Sequence, residues 1–366
     1  LKGSIIVFGM SILLILLMES FLRIFYPQNL KGRKIIGASF SNENDLIGLK
    51  YSPGSKWEFS HPEYKVIYEI NEYGFRDKKH HPIPKPEGIT RILLLGDSFT
   101  FGQGVSYEQT WPVLIESWLE SNGNSHIDIV KAASQGLDTR SEYILMKRLV
   151  DFFDCNIVVI VFLINDLYTN SFQGIDDTDF ASLATTSGRI VLRDYNIQDK
   201  ETQQSFIRNK QRSIFHSLNL AKRLAISNDN LFCKLYLLSI RAEYLTFPLE
   251  EIPKKNLKIT ESLFNKIASY CHSIDKKLIV LSLPQQFQYL YLKNSLNIPH
   301  IDVNFYDSHF YDIAVQNDFI WINTLDHFNN LNTDEKLFYR LDGHFSPEGS
   351  KVVAEIFMKN ILPLVH

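Results

Sequence analysis

The chain has 366 residues, 45% hydrophobic and 22% charged, with a formal net charge of −3. That is enough for one large or two modest domains with a packed core, and the near-neutral balance excludes a basic nucleic-acid-binding surface as its organising feature. Three cysteines, Cys155, Cys233 and Cys271, are too few and too scattered for a disulfide framework or a zinc site, and read as buried apolar residues.

In chain order, the first element is apolar. Ile5 to Met18 carries no charge, and Phe21-Leu22 and Ile24-Phe25-Tyr26 extend the stretch past Glu19 and Arg23. At 1.5 Å per residue, Ile5 to Tyr26 could cross a hydrocarbon layer of about 30 Å. A signal peptide and a buried core helix are the rival readings. No small-x-small cleavage site follows, which favours an uncleaved anchor over residues 1–26. Lys2 lies on one side, and Arg23, Lys31, Arg33 and Lys34 on the other. Counted literally, these charges would leave the following chain in the cytoplasm. Residues 27–90 contain Pro27, Pro53, Pro62, Pro82, Pro84 and Pro86 and read as a stalk passing into a small appendage. Val66-Ile67-Tyr68-Glu69-Ile70 is its one evident strand.

From residue 91 the pattern alternates. Apolar runs predict strands at 91–96, 127–131, 156–163, 277–283 and 318–323, and the helices between them imply a parallel sheet with right-handed crossovers. Thr110 is the expected N-cap of the first helix, with Pro112 in its first turn and Gly123 at its end. Trp111, Leu114, Ile115, Trp118 and Leu119 form its apolar face, a stripe that reads as core. Further helices are predicted at 141–153, 256–273, 305–315 and 347–361. Residues 171–255 interrupt the alternation as an insertion suited to a lid or to specificity. Within it, Asp176-Asp177-Thr178-Asp179 fits no metal-binding loop and reads as a solvated turn. Ile190-Val191-Leu192 reads as a strand and Gln203 to Ile226 as a helix.

Four short motifs fall at the ends of these elements. Gly96-Asp97-Ser98 follows Ile92-Leu93-Leu94-Leu95, placing a hydroxyl where a strand empties into a helix, the end of an open sheet at which sites collect. Ser98 is there a candidate nucleophile, and such a group needs a base oriented by a third residue. Asp342 and His344 in Leu341-Asp342-Gly343-His344 are two apart, which in an extended segment puts both side chains on one side. Asn165, after the run Ile157 to Val161, offers an amide to a developing oxyanion. Gly136, in Ala133-Ser134-Gln135-Gly136, would let its backbone N–H approach a substrate closely. Each motif alone is also ordinary turn chemistry.

Together and in this order, Ser98, Gly136, Asn165 and His344 resemble the Ser, Gly, Asn and His blocks of the SGNH (GDSL-type) hydrolase superfamily, over roughly residues 70 to 366. Asn71-Glu72-Tyr73-Gly74-Phe75-Arg76-Asp77 and Gly-Asp-Ser-Phe-Thr-Phe-Gly are similar to the membrane-associated bacterial members. Two positions depart from the pattern. Leu163 stands two before Asn165, where many members have Gly, and the acid and base are spaced Asp-x-His instead of Asp-x-x-His. Polysaccharide O-acetyltransferase relatives share the shorter spacing. The resemblance implies a three-layer α/β/α fold with a five-stranded parallel flavodoxin-like sheet of order 2-1-3-4-5 over residues 91–366, behind an N-terminal transmembrane helix. It also implies an enzyme domain outside the cytoplasm.

The function so implied is a serine esterase acting on O-acyl, chiefly O-acetyl, esters of a cell-surface glycan or lipid. Ser98, His344 and Asp342 would form the triad, and Ser98, Gly136 and Asn165 the oxyanion hole. The membrane is the expected partner, and no cofactor, metal or nucleic acid is implied. An O-acetyltransferase using the same residues and a catalytically silent glycan-binding or assembly protein remain as alternatives. The sequence leaves the oligomeric state open.

Overall fold

The computed structural model describes residues 2–27, 34–36, 51, 53–170, 215–331, 333 and 335–365. The acidic run at 176–179, the strand expected at 190–192 and the first part of the helix expected over 203–226 lie outside them.

The N-terminal stretch is one helix, α1 (Lys2–Phe25). Its Val7–Phe25 portion is long and apolar enough to cross a membrane, and only 11% of it is buried. A three-stranded antiparallel sheet follows, made by β1 (Lys34–Ile36), β2 (Lys56–His61) and β3 (Tyr64–Glu69) in the order β1-β2-β3. Trp57 pairs with Tyr68 and Phe59 with Val66 across β2 and β3. Alternation sends these four side chains to one face, where they are buried with Tyr51, Ile70, Phe101 and Ala133. The last two belong to the larger sheet's site-bearing end, so the small sheet packs directly on it.

The larger sheet is built from β4 (Thr90–Gly96), α2 (Ser98–Phe101), α3 (Trp111–Ser121), β5 (Ile127–Ala133), α4 (Thr139–Phe152), β6 (Ile157–Phe162) and α5 (Asp166–Thr169). Helices α6 (His216–Ser227), α7 (Asp229–Tyr236) and α8 (Glu251–Ser273) come next. The chain then forms β7 (Lys277–Ser282), α9 (Gln286–Lys293), α10 (Phe305–Gln316), β8 (Ile320–Asn323), α11 (Leu325–Asn329) and α12 (Pro347–Asn360). All five strands are parallel, in the order β5-β4-β6-β7-β8. This is the 2-1-3-4-5 order. Helices α3 and α12 pack together on one face, and α4, α8 and α10 on the other, giving three layers. Strands covered on both sides need apolar residues at every position, and β6 is buried throughout. Phe162, Phe264, Phe310 and Trp321 pack edge-on and stacked with ring centroids 5.1–5.7 Å apart. All three cysteines are buried and free.

Two local readings need correction. Thr110 is the N-cap of α3 but makes no side-chain cap, because its hydroxyl donates backward to Tyr107 O at 2.8 Å. Trp118 is 39% exposed, not core. Three of the five stripe residues, Trp111, Ile115 and Leu119, are buried, together with Pro112, Val113 and Glu116, so the inward face is rotated away from Trp118.

A charged network joins the segment before β4 to the sheet. His81 is buried between two carboxylates, with Nε2 2.9 Å from Asp77 Oδ2 and Nδ1 3.0 Å from Asp128 Oδ1. Lys131 Nζ meets Asp77 at 2.8 Å, and Arg91 Nε donates to Asp128 at 2.7 Å. Burial opposes the imidazolium, but its hydrogen bonds and charge interactions with Asp128 and Asp77 outweigh that and raise its pKa above 6.5. A group whose pKa is raised on folding stabilises fully below its unfolded pKa, and that contribution is lost as pH rises through the folded value. His81→Gln should therefore lower Tm most toward pH 6, and the gap to wild type should narrow as pH is raised through the folded imidazole's range. A gap constant across that range in thermal melts would mean His81 is not charged in the fold.

Candidate active site

Ser98 is the first residue of α2, directly after β4. Gly96 makes this possible, since a Cβ there would lie 2.0 Å from Thr100 Oγ1 and force the helix off the strand end. Asp97 caps the turn, its Oδ1 accepting from Phe99 N at 2.8 Å. The first N–H groups of a helix have no acceptor within it, and Ser98 occupies the first position of α2. Strand order reverses between β4 and β6, the place where an open sheet leaves a crevice. Asn165 stands across that crevice, its Nδ2 donating to Asp97 Oδ2 at 3.3 Å. Gln285 Nε2 donates to Asn165 Oδ1 at 2.9 Å and fixes the orientation of the amide.

His344 Nε2 is 2.7 Å from Ser98 Oγ, and His344 Nδ1 is 2.8 Å from Asp342 Oδ2. The structure thus brings Ser98, His344 and Asp342 into one line of contacts. The means differ from the expected extended segment. Residues 339–344 form a turn closed by Gly343 N donating to Tyr339 O and Tyr339 N donating to His344 O, both at 2.8 Å. Gly343 takes φ +82, a left-handed conformation that suits glycine. It folds the imidazole back onto its neighbour's carboxylate, so an Asp-x-His spacing suffices when x is Gly.

Three donors converge on Asp342 Oδ2: His344, Tyr64 OH at 2.9 Å and Gln103 Nε2 at 3.0 Å. Its side chain is wholly buried. Burial pushes against ionisation, but the bond and charge of His344 with the donors from Tyr64 and Gln103 outweigh it and hold the carboxyl well below the usual carboxylate range. Burial and the Asp342 charge raise the Tyr64 phenol, which keeps it protonated as a donor. Glu63, beside Tyr64 at the β2–β3 turn, accepts the backbone N–H groups of Arg340, Leu341 and Asp342 at 2.7, 2.8 and 3.0 Å. The small sheet therefore holds the acid–base loop. Sequence reading missed Tyr64, Glu63 and Gln103, since a β-hairpin nearly 280 residues from its target leaves no local signal.

The Asn71–Asp77 motif supplies a second clamp. Asn71 Oδ1 accepts from Tyr73 N and Phe75 N at 3.0 Å each, closing a turn. That turn buries Arg76, which donates to the carbonyls of Phe101, Gly102 and Val105 at 2.9, 2.7 and 2.9 Å. Burial lowers the Arg76 pKa to about 10, leaving it cationic. The loop after Ser98 is thereby fixed by one guanidinium. Leu163, at the glycine position of the resemblance, is buried and does not take a positive φ. Its carbonyl accepts from Asp166 N at 3.0 Å, so the turn before Asn165 forms without glycine. Gly136 stands apart from the rest. It is exposed at φ +85, in the loop that begins where Ser134 N donates to Gly96 O at 3.2 Å, and it does not line the cleft.

That cleft, of about 440 Å³, lies over Ser98, Asn165 and His344, with Phe232, Tyr236 and Arg241 on its far wall. It is in the range of sites for small ligands. Among the described residues no cluster of His, Cys, Asp or Glu could hold a metal ion. A hydroxyl in contact with an oriented imidazole can act as a nucleophile. A fluorophosphonate probe should accordingly label Ser98 and no other serine, and peptide mapping should find no adduct in Ser98→Ala. Labelling that survives the substitution would remove Ser98 from the site.

Neither a family model nor a curated protein matches the chain. Among solved structures it is similar to TesA, at 12% identity and a TM-score of 0.41 over 75% of this chain and 99% of that one. It is similar to a catalytic mutant of Axe2, an acetylxylan esterase from Geobacillus stearothermophilus, at 12% identity and a TM-score of 0.41 over 74% of this chain and 93% of that one. It is also similar to the acetyl xylan esterase AlAXEase, at 14% identity and a TM-score of 0.42 over 74% and 99%. These likenesses are remote, and the chemistry rests on the geometry of the site itself.

Proposed function

We propose that this chain is an SGNH-type serine esterase that hydrolyses O-acyl esters, with O-acetyl esters of a cell-surface glycan or lipid as its natural class. In this reading α1 anchors it in the membrane and the catalytic part lies outside the cytoplasm. The observation that carries the proposal is the unbroken contact line from Ser98 Oγ through His344 to the buried Asp342 carboxylate. Ser98 Oγ attacks the ester carbonyl carbon while His344 Nε2 takes its proton. Asp342 holds the imidazole with Nδ1 protonated and stabilises the imidazolium. The oxyanion is received by the Ser98 N–H and the Asn165 amide; the Gly136 N–H, the third donor of the SGNH pattern, lies outside the cleft in this structure. The leaving alcohol departs with the proton from His344, and water deacylates Ser98 by the same route in reverse.

The test is incubation of the full chain in detergent with an activated acetyl ester, with and without a sugar acceptor. Free acetate supports the esterase, acetylated sugar would make it a transferase, and neither product would leave a silent fold. Asn165→Ala should lower kcat by about 10²–10³ with little change in KM, as for removal of one oxyanion donor. A variant of normal Tm with near-normal kcat would place Asn165 outside the site. His344→Ala and Asp342→Ala should each lower kcat strongly and combine less than additively, because triad members act as a unit. Additive losses would separate the pair.

A further inference from the structure

The apolar N-terminal helix and the wall of the cleft are joined through one carboxylate. Glu19 is the only acidic residue of α1, and it is buried. Its oxygens accept from His216 N at 2.7 Å, Ser217 N at 2.9 Å and Ser217 Oγ at 2.8 Å. A carboxylate from α1 thus occupies the positive end of α6, where negative charge is favoured. Helix α1 packs along α6, and α6 against α7. Glu19 is six residues short of Phe25, about 9 Å along the helix axis. Arg23 of the same helix also donates to Glu19 Oε1 at 3.3 Å, and a carboxylate at that depth in a membrane span sits among such partners and not in lipid; α6 supplies three of them. The start of α6 therefore lies at the level of the bilayer boundary.

The outward faces of α6 and α7 suit that position. Leu218, Leu224, Leu231, Leu235, Leu238 and Ile240 are exposed, the last two at 84% and 75%. Leu231 and Leu235 are one turn apart on α7, the spacing of a helical apolar stripe, and Leu238 and Ile240 follow just beyond its end. Lys222, Arg223 and Lys234 are exposed among them, as in helices that lie in a lipid headgroup layer. The inward faces belong to the site. Ile226, Phe232 and Tyr236 line the cleft, Tyr236 stacks on Phe287 at 4.1 Å, and Asp229 pairs with Arg340 beside the acid–base loop.

We propose that α6 and α7 lie in the interface of the bilayer that α1 enters. The cleft then opens at the membrane surface and takes its ester from an amphiphile of that membrane. The substrate half of this proposal rests on the esterase reading, and the placement rests on α1 as an anchor. The test uses the full chain in vesicles of mixed phosphatidylcholine and phosphatidylglycerol. An environment-sensitive fluorophore is placed at Leu238→Cys, with Glu120→Cys near the end of α3, away from the site, as the control; the three native cysteines are buried. Nitroxide-labelled lipid should quench the label at 238 and spare the one at 120. Equal exposure of both labels, or a shielded label at 238 that lipid does not quench, as in a contact between two copies, overturns the placement whether or not the protein is an esterase. In the activity arm, the double variant Leu235→Glu with Leu238→Glu should lose about tenfold or more on a long-chain ester dispersed in the vesicles, the size expected when two leucines leave an apolar phase. It should keep its rate on a short water-soluble acetyl ester. The serine pair at the same positions replaces it if the charged pair does not fold. Unchanged use of the vesicle-borne ester overturns the substrate half. Failure of the wild type on both esters overturns the esterase reading instead and leaves the quenching result standing.

Discussion

The arrangement depends on one buried negative charge. The Asp342 side chain is buried, and an isolated carboxylate in such a place would take up a proton. It stays ionised because His344, Tyr64 and Gln103 all donate to a single oxygen. A hydrogen bond to a charged group is worth about 1.5–3 kcal/mol, so no single donor offsets the desolvation and the set does. An ionised Asp342 accepts from His344 Nδ1, which leaves Nε2 facing Ser98 Oγ. The contact line from Ser98 to Asp342 is thus a property of three distant chain segments held in register.

That register explains why the small antiparallel sheet lies where it does. Its turn residues Glu63 and Tyr64 hold the acid–base loop. Tyr68 accepts the Gly104 N–H at 3.0 Å through its hydroxyl, and Arg76 fixes the carbonyls that follow Ser98. Nucleophile loop and base loop are therefore tied to the same hairpin and the segment behind it. The His81, Asp77, Asp128 and Lys131 network then locks that segment onto β4 and β5. Breaking one member of a buried charged set commonly costs about 3–5 kcal/mol, because the partner is left uncompensated.

Much of this was legible in the sequence. The unbroken apolar runs of β4, β6 and β7 predict strands covered on both faces, and the motifs at their ends mark one edge of the sheet. Strand order was not legible, since periodicity is blind to neighbours, and it came from the resemblance. What pattern reading gets wrong is contact between distant segments. Trp118 fits the stripe of α3 by spacing, yet no second layer covers that arc. Asp342 and His344 are two apart, yet the geometry that joins them is a left-handed turn at Gly343 and not a strand. Glu63 and Tyr64 look like unremarkable hairpin residues until the fold brings residue 342 beside them. Gly136 remains the member of the expected set that the structure does not bring to the cleft.

The most direct test of the account is the state of the His344 ring in solution. Proton NMR of the full chain in detergent should show the Nδ1 proton shared with Asp342 far downfield of the amide envelope. The account predicts that this resonance persists in Ser98→Ala and vanishes in Asp342→Asn, with turnover lost in both. Its absence from the wild type, or its survival in Asp342→Asn, would contradict the claim that the Asp342 charge organises the site.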